Sequence, residues 1–166
     1  MEFALLTTAT HESFLQQKSD PIEKDKIKSS EIKLLCSRLI EIAESTVTTE
    51  GWRSAGLAAI QIGAPLRLFV VRVSQQNSFQ IFINPQLELL GEATDMRDES
   101  CLSIPHVIGK VSRHKRIRLT YTDENGNVRT VKYDGFVARV IQHENDHLNG
   151  ILFTDKATEA KRTSNF

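Results

Sequence analysis

The sequence predicts an α+β fold, and three observations support that prediction. Apolar residues recur at helical spacing from near Ser30 and again between Gly135 and Leu148. Runs rich in β-branched and aromatic residues lie between these two segments and predict strands. An Asn125-Gly126 pair joins the last two runs, which is typical of an antiparallel hairpin. With 166 residues the chain has the size of one domain, which we expect to span residues 1–166.

The first predicted helix begins near Ser30, where Ser29 or Ser30 can cap its N-terminus. Glu31 lies in its first turn, where a carboxylate interacts favourably with the helix dipole. The apolar stripe of this helix consists of Ile32, Leu35, Cys36, Leu39, Ile42 and Ala43. Because Cys36 lies on that stripe, we interpret it as a buried core thiol.

Four strands are expected after the first helix, at residues 66–73, 80–84, 116–121 and 128–133. The second of them should end at Asn84-Pro85, because proline cannot continue a hydrogen-bonded ladder. The last two should be joined by a type I′ turn, in which both Asn125 and Gly126 have positive φ.

The second predicted helix runs from Gly135 to Leu148, and Gly150 follows it as a C-terminal glycine. Its apolar positions are Phe136, Val137, Val140 and Ile141. Arg139 lies on the same helix and is expected to face the solvent or the mouth of a pocket.

Charge and composition argue against several classes of function. The 21 basic and 21 acidic residues cancel, so nucleic acid is not an expected partner. Two cysteines are too few for a disulfide framework, and no apolar run reaches about 18 residues, so we expect a cytoplasmic protein without a membrane partner. A local basic cluster is interpreted as the solvated face of an alternating strand. Its residues are Lys110, Arg113, His114, Lys115, Arg116 and Arg118.

The strongest chemical signal is the sequence His-Glu-Asn-Asp-His at residues 143–147, on the second predicted helix. Its two histidines are four residues apart, so both imidazoles project from one face of the helix. Glu144 is placed to reach a water at a metal site without ligating the metal. The spacing therefore predicts a divalent metal site, and the alternative is a chance pair of surface histidines.

A catalytic metal site of this kind needs a third protein ligand. One familiar continuation of the motif requires a histidine where this chain has Phe153. Another requires a glutamate well downstream, where Glu159 is the sole glutamate. We therefore expect the third ligand upstream, and Cys101 is the outstanding candidate. A thiolate together with two imidazoles suits zinc or ferrous iron.

Three ordered segments resemble the motifs of the peptide deformylase family. Residues 54–61 read Ser-Ala-Gly-Leu-Ala-Ala-Ile-Gln, residues 99–103 read Glu-Ser-Cys-Leu-Ser, and residues 142–148 read Gln-His-Glu-Asn-Asp-His-Leu. The chain departs from the family at Ser54 and Ser100, where the motifs have glycine. The resemblance implies mixed or antiparallel sheets packed around a central helix that carries the His-Glu-x-x-His motif.

The resemblance also implies an activity. Members of the family are metal-dependent hydrolases that remove the N-formyl group from the N-terminal methionine of newly made polypeptides and release formate. Glu144 is then the general base and acid, and the side-chain amide of Gln61 and the backbone N–H of Leu102 donate to the oxyanion. The substrate is expected to pair like an added strand with Gly56. The walls of the methionine pocket are expected to be Phe136 and Val140.

By the same comparison, Cys101, His143 and His147 hold one divalent metal ion, with Fe²⁺ favoured as the native metal. The same ligand set also suits Zn²⁺, Ni²⁺ and Co²⁺. Glu99 and Asp146 are candidates for orienting these ligands.

The expected partners follow from this activity. They are a nascent polypeptide that begins with N-formyl-methionine, as substrate, and the ribosome in transient contact, within a bacterial-type cytoplasm. Two alternatives stay open at this point. One is a divergent or inactive homologue that binds formylated or acylated peptides, and the other is a different metal-dependent amidase or peptidase.

Overall fold

The computed structural model describes residues 3–48, 51–73 and 78–163 of the chain. Over these residues it contains a short first helix, a long second helix, a largely antiparallel set of strands and a third helix near the end. In order, the elements are α1 (Thr8–Leu15), α2 (Ser30–Ser45), β1 (Gly56–Ala58), a 3₁₀ helix (Ala59–Ile62), β2 (Leu68–Arg72), β3 (Phe79–Leu89), β4 (Thr94–Cys101), β5 (Ile104–His114), β6 (Arg116–Thr122), β7 (Val128–Asp134), α3 (Gly135–Leu148), α4 (Phe153–Lys156) and β8 (Ala160–Arg162).

The strands form two sheets, and every named pair within them is antiparallel. The larger sheet has the order β1-β2-β3-β6-β7, and the smaller has the order β4-β5-β8. Strands β1 and β4 are therefore outer strands of two different sheets. The α+β prediction is confirmed, and so is the prediction of antiparallel sheets around a central helix.

Helix α3 lies at the centre and has the predicted bounds, Gly135 to Leu148. Its residues Ala138 and Ile141 are fully buried. They share one core cluster with Phe69 and Phe82 of the larger sheet. Burial of an apolar helix face of this kind contributes roughly 25 cal/mol per Å² of apolar surface. This contact holds the helix that carries residues 143–147 in place.

Helix α2 also follows the prediction. The Ser29 side chain accepts a hydrogen bond from the backbone N–H of Ile32 at 3.2 Å, which caps the helix. Cys36 is 6% exposed and packs in the core beside Leu35 and Leu39, so the prediction of a core thiol is confirmed.

The predicted end of the strand at Asn84-Pro85 is wrong, because β3 continues to Leu89. Asn84 has a positive φ of 49°, and the pairing of β3 with β6 shifts register between Ile83 and Gln86. Pro85 lies inside this irregularity, where the ladder requires no backbone N–H from it. A bulge thus lets the strand pass through a proline that the sequence rules treat as a terminator.

The hairpin between β6 and β7 is confirmed, but its predicted type I′ turn is wrong. Thr122 pairs with Val128, so the connection has five residues and not two. Only Gly126 in the Asn-Gly pair has a positive φ, at 83°. The Asp123 carboxylate accepts backbone N–H bonds from the loop at 2.8 and 3.0 Å, and these bonds favour the longer turn.

Strands β4 and β5 were not expected from the sequence. β4 reads Thr-Asp-Met-Arg-Asp-Glu-Ser-Cys, a polar run without the alternation that predicts a half-buried strand. Four of its eight residues are exposed, because it is an outer strand of the smaller sheet. The short elements α1, α4 and β8 have no clear pattern either, and they were likewise missed.

The interpretation of the basic cluster is wrong at one position. Lys110, Lys115 and Arg116 are exposed, as a solvated strand face requires. Arg113 in contrast is only 3% exposed and points inward from β5.

No helix in the described part of the chain has the length and apolar character needed to cross a membrane. The single domain over residues 1–166 stays a prediction.

Replacing Gly150 with alanine should destabilise the fold strongly. Gly150 has a φ of 72°, and an added Cβ would lie 2.2 Å from the backbone oxygen of Gln16. We expect a loss of about 3 kcal/mol in unfolding free energy, from backbone strain and overlap together. Denaturant unfolding measures this. Gly63→Ala is the matched control, since Gly63 has a φ of 86° and open space around it. Equal losses in the two variants would contradict the close approach.

Candidate metal centre

Three side chains from two elements meet beside helix α3. Cys101 stands at the end of β4, and His143 and His147 lie one turn apart on α3. The Cys101 Sγ and the His147 Nε2 are 3.3 Å apart. The ligand atoms of all three residues lie within 4.8 Å of one another. The structure therefore brings together the three residues that the sequence predicted as metal ligands.

The donor set and the spacing of this cluster fit a divalent metal ion. Ligand atoms of a tetrahedral sulfur and nitrogen site are roughly 3.6 Å apart, given metal–ligand bonds of about 2.0–2.3 Å. Burial lowers the pKa of His143, but hydrogen bonds to Cys101 and Glu99 outweigh it and raise the pKa to about 10. Burial also lowers the pKa of His147 well below its usual range, which keeps that imidazole neutral. The cluster thus attracts positive charge and offers a neutral nitrogen donor.

Glu99 holds the first histidine in position. Its Oε2 lies 3.0 Å from the Nδ1 of His143, so the Nε2 of that ring is left for the cluster. Arg113 donates to both oxygens of Glu99, at 2.6 and 2.9 Å. Although burial opposes its ionisation, the hydrogen bonds from Arg113 and His143 hold the pKa of Glu99 well below its usual range. Glu99 therefore stays a carboxylate and accepts from the histidine.

Asp146 contacts the site through Arg113. Its Oδ2 accepts a hydrogen bond from Arg113 at 2.7 Å, and its Oδ1 accepts one from Lys156 at 2.7 Å. Asp146 thus helps to fix the position of Arg113, and Arg113 in turn fixes the position of Glu99.

Arg139 was expected to face the solvent or the mouth of a pocket; it does not face the solvent, but it does line the cavity at this site. Arg139 is 5% exposed and donates to the Glu99 Oε1 at 2.6 Å and to the Asp95 Oδ1 at 2.9 Å. A buried guanidinium needs such partners, because an unpaired buried charge is costly.

Glu144 is buried beside the cluster with one oxygen free. It is 3% exposed, and its Oε2 has no hydrogen-bond partner among the described residues. Burial raises the pKa of Glu144 to about 7. A group with that pKa can both take and return a proton near neutral pH. Gly56 makes room for it, since a Cβ there would lie 2.6 Å from the Glu144 Oε1.

Gln61 reaches the cluster from the other side. Its Oε1 accepts from the backbone N–H of Ala58 at 2.8 Å, which fixes the orientation of the amide. Its Nε2 then lies 3.5 Å from the Cys101 Sγ and donates to the Ser103 Oγ at 3.1 Å. The amide nitrogen of Gln61 is therefore directed toward the sulfur ligand. Leu102, the residue after that ligand, lines the same cavity.

A cavity of about 350 Å³ opens onto these residues. Its two sides are the segment that leads into β1 and the end of β4, so outer strands of both sheets border it. Helix α3 contributes Phe136 and Val140 to its lining, as predicted, together with Glu144. Phe136 is 59% exposed and lies at the mouth, whereas Val140 is buried. Trp52, which no sequence pattern singled out, also lines this cavity.

Two buried arginines were missed as parts of the site, although signals for both exist. Arg113 shares strand parity with buried Val111, and alternation places both side chains on the same face. Arg139 precedes His143 by four residues, which places both on one helix face. Because arginine side chains are usually exposed, Arg113 was expected at the surface, and Arg139 at the surface or at the mouth of a pocket.

Comparison with known proteins gives one consistent family. The sequence model of the polypeptide deformylase family matches residues 5–163. A peptide deformylase of Treponema pallidum (strain Nichols) is 47% identical over 112 residues, which cover 68% of each chain. One of Rhizobium meliloti is 36% identical over 151 residues, 89% of this chain and 82% of the relative. A crystal structure from Synechococcus elongatus, a peptide deformylase with actinonin, superimposes with a TM-score of 0.81 at 31% identity, covering 95% of this chain and 79% of the other.

Proposed function

The chain belongs to the polypeptide deformylase family, and from this premise we propose how its residues remove the formyl group from newly made polypeptides. The observation that carries the proposal is the buried cluster of Cys101, His143 and His147, with the free Glu144 oxygen beside it in one cavity. Family membership makes the chain a metal-dependent enzyme. The roles of the individual residues are our assignment.

Cys101, His143 and His147 hold the metal ion in this proposal. A bound divalent ion lowers the pKa of water and polarises the formyl carbonyl. We assign Fe²⁺ as the native ion, which the thiolate and imidazole donors accept, as they also accept Zn²⁺, Ni²⁺ or Co²⁺. Metal analysis of protein purified without oxygen tests this assignment.

Glu144 moves the proton. As a carboxylate it takes a proton from the attacking water, and as an acid it returns this proton to the leaving amine. Burial places its pKa at about 7, so both forms are accessible near neutral pH. The products are formate and a polypeptide with a free N-terminal amine.

Gln61 and Leu102 stabilise the negative charge that develops on the formyl oxygen. The Gln61 amide is held by Ala58, so its Nε2 is oriented before substrate binds. The backbone N–H of Leu102 is the second donor in this assignment. Removal of one such donor typically costs about 10²–10³ in rate.

The peptide lies extended between the two sheets. Among the described strands, β1, which begins at Gly56, and β4 each have one edge without a partner strand, so a peptide can add to either as a strand. The methionine side chain then enters the cavity toward Val140 and Phe136, which supply apolar contact. We further propose that this occurs in the cytoplasm, on chains in transient contact with the ribosome.

Release of formate tests the function. Protein loaded with Fe²⁺ should release formate from formyl-Met-Ala-Ser and leave acetyl-Met-Ala-Ser intact. The acetyl group carries an additional methyl group, and we expect this group to be too large to fit beside the donors of the cluster. Binding of the formyl peptide without turnover would favour the inactive homologue. Cleavage of internal peptide bonds would favour another amidase or peptidase.

Restoring glycine at position 100 should improve the enzyme. Ser100 lines the cavity, and positive φ among the described non-glycine residues occurs only at Asn84 and His106, so Ser100 carries no left-handed strain. We therefore infer that its side chain acts by occupying space beside the peptide and not through backbone strain. Ser100→Gly should lower KM for short formyl-Met peptides about twofold to fivefold, with little change in the melting temperature. Steady-state kinetics and thermal unfolding measure both. A higher melting temperature with unchanged kinetics would contradict this explanation.

A further inference from the structure

Exposed apolar side chains gather at the mouth of the cavity. Trp52 is 46% exposed and Phe136 is 59% exposed, and both line it. Large apolar groups that share one exposed patch at a cavity mark contact sites for a ligand or partner. The patch thus lies on the cavity that the proposed function assigns to the peptide.

The backbone of Trp52 is held in a fixed relation to β1. Val47 and Arg53 form an antiparallel bridge, and the Thr48 N–H donates to the Trp52 carbonyl at 2.8 Å. The Trp52 N–H in turn donates to the Thr48 Oγ1 at 3.2 Å. Three residues after Arg53 the chain enters β1 at Gly56. These backbone contacts hold Trp52 close to the start of β1.

The indole of Trp52 is only partly covered by the described residues. Within residues 3–48, 51–73 and 78–163, its side chain makes no ring contact and no hydrogen bond. Indole is a large apolar group, so its burial contributes more favourable free energy than the burial of most other side chains. Because the indole is partly exposed here, a bound molecule that covers it would be stabilised by this free energy.

We propose that Trp52 is a specificity-determining residue that packs against an apolar side chain in the two residues after the formyl-methionine. This inference rests on the proposed function, since it places the peptide in the same cavity. Trp52 and Gly56 line the same cavity, and an extended chain advances about 3.3 Å per residue, so residues that follow the formyl-methionine beside Gly56 come within reach of the indole. The exposed charges of the lining are one cation, Arg53, and one acid, Asp98, which favour neither sign of charge. Apolar contact therefore decides the preference.

Binding can be followed without turnover, because Trp52 is the single tryptophan of the chain. Metal-loaded protein is titrated with the product peptides Met-Ala-Ala, Met-Ala-Phe and Met-Phe-Ala, and tryptophan fluorescence is recorded. We expect a peptide with phenylalanine to shift the emission and to bind about threefold to tenfold more tightly than Met-Ala-Ala. Equal affinities with no change of emission would overturn the proposal.

Kinetics on the matching formyl peptides give the second measurement. Trp52→Ala should lose the roughly threefold to tenfold advantage of phenylalanine over alanine in kcat/KM. Trp52→Phe should retain most of the advantage, and Val128→Ala, at an exposed valine of β7, should retain all of it. An advantage that survives in Trp52→Ala would overturn the inference. If no formyl peptide is hydrolysed while fluorescence still reports phenylalanine, the proposed function fails and the contact with Trp52 stands.

Discussion

Glu144→Ala is expected to lower kcat for formyl-peptide hydrolysis by roughly 10²–10⁴ and to leave one metal ion per chain. Glu144 lies beside the cluster of ligands but is not part of it, and its Oε2 has no partner among the described residues. The substitution therefore removes the group that moves the proton and spares the groups that bind the metal. Steady-state kinetics and elemental analysis on the same preparation measure the two effects.

Glu144→Gln serves as the control for shape. It keeps the volume beside Gly56 and removes only the acid, so it should be as inactive as Glu144→Ala and as stable as the parent. A variant at this position with near-parental kcat would show that another group moves the proton. Loss of metal from both variants would show that Glu144 is itself a ligand.

Cys101→Ser is expected to bring the metal content well below one ion per chain and to abolish most of the activity. The change replaces a thiolate by a hydroxyl, which is a poor ligand for Fe²⁺ or Zn²⁺. His143 and His147 remain, but two imidazoles do not complete the site. Elemental analysis after dialysis measures the loss.

The other cysteine provides a matched control. Cys36 of α2 is buried in the core and lies outside the cluster of Cys101, His143 and His147, and burial raises the pKa of its thiol to about 11. Cys36→Ala should therefore keep full metal content and activity, with a loss of about 1 kcal/mol in stability from the smaller side chain. Full metal occupancy in Cys101→Ser, or equal metal loss in the two variants, would contradict the ligand assignment.

The sequence predicted those parts of the site that depend on local spacing. The helix that carries residues 143–147 has the predicted ends, because apolar periodicity and a following glycine are properties of adjacent residues. His143 and His147 share a face because an α-helix repeats every 3.6 residues. Cys101 was found by the chemistry that a third ligand requires, and the structure places it 3.3 Å from His147.

The sequence rules failed where a residue's environment is set by a distant partner. Arg113 and Arg139 have the composition of surface residues, and their burial is understandable only with Glu99 between them. Pro85 should have ended a strand, but the neighbouring strand accommodates it through a change of register. Burial of charge and tolerance of a proline are both decided by what the rest of the chain supplies at that point.

The sequence by itself therefore predicted the residues of the candidate site: three donor side chains, the acid beside them, and the helix that carries the acid and two of the donors. Only the tertiary structure showed the cavity that opens onto these residues. The cavity exists because β1 and β4 are outer strands of different sheets, and Trp52 stands at its mouth because a hairpin leads into β1. Ligand spacing is a property of a few consecutive residues, whereas a cleft between two sheets arises from packing of segments that are far apart in the chain, which no short pattern encodes.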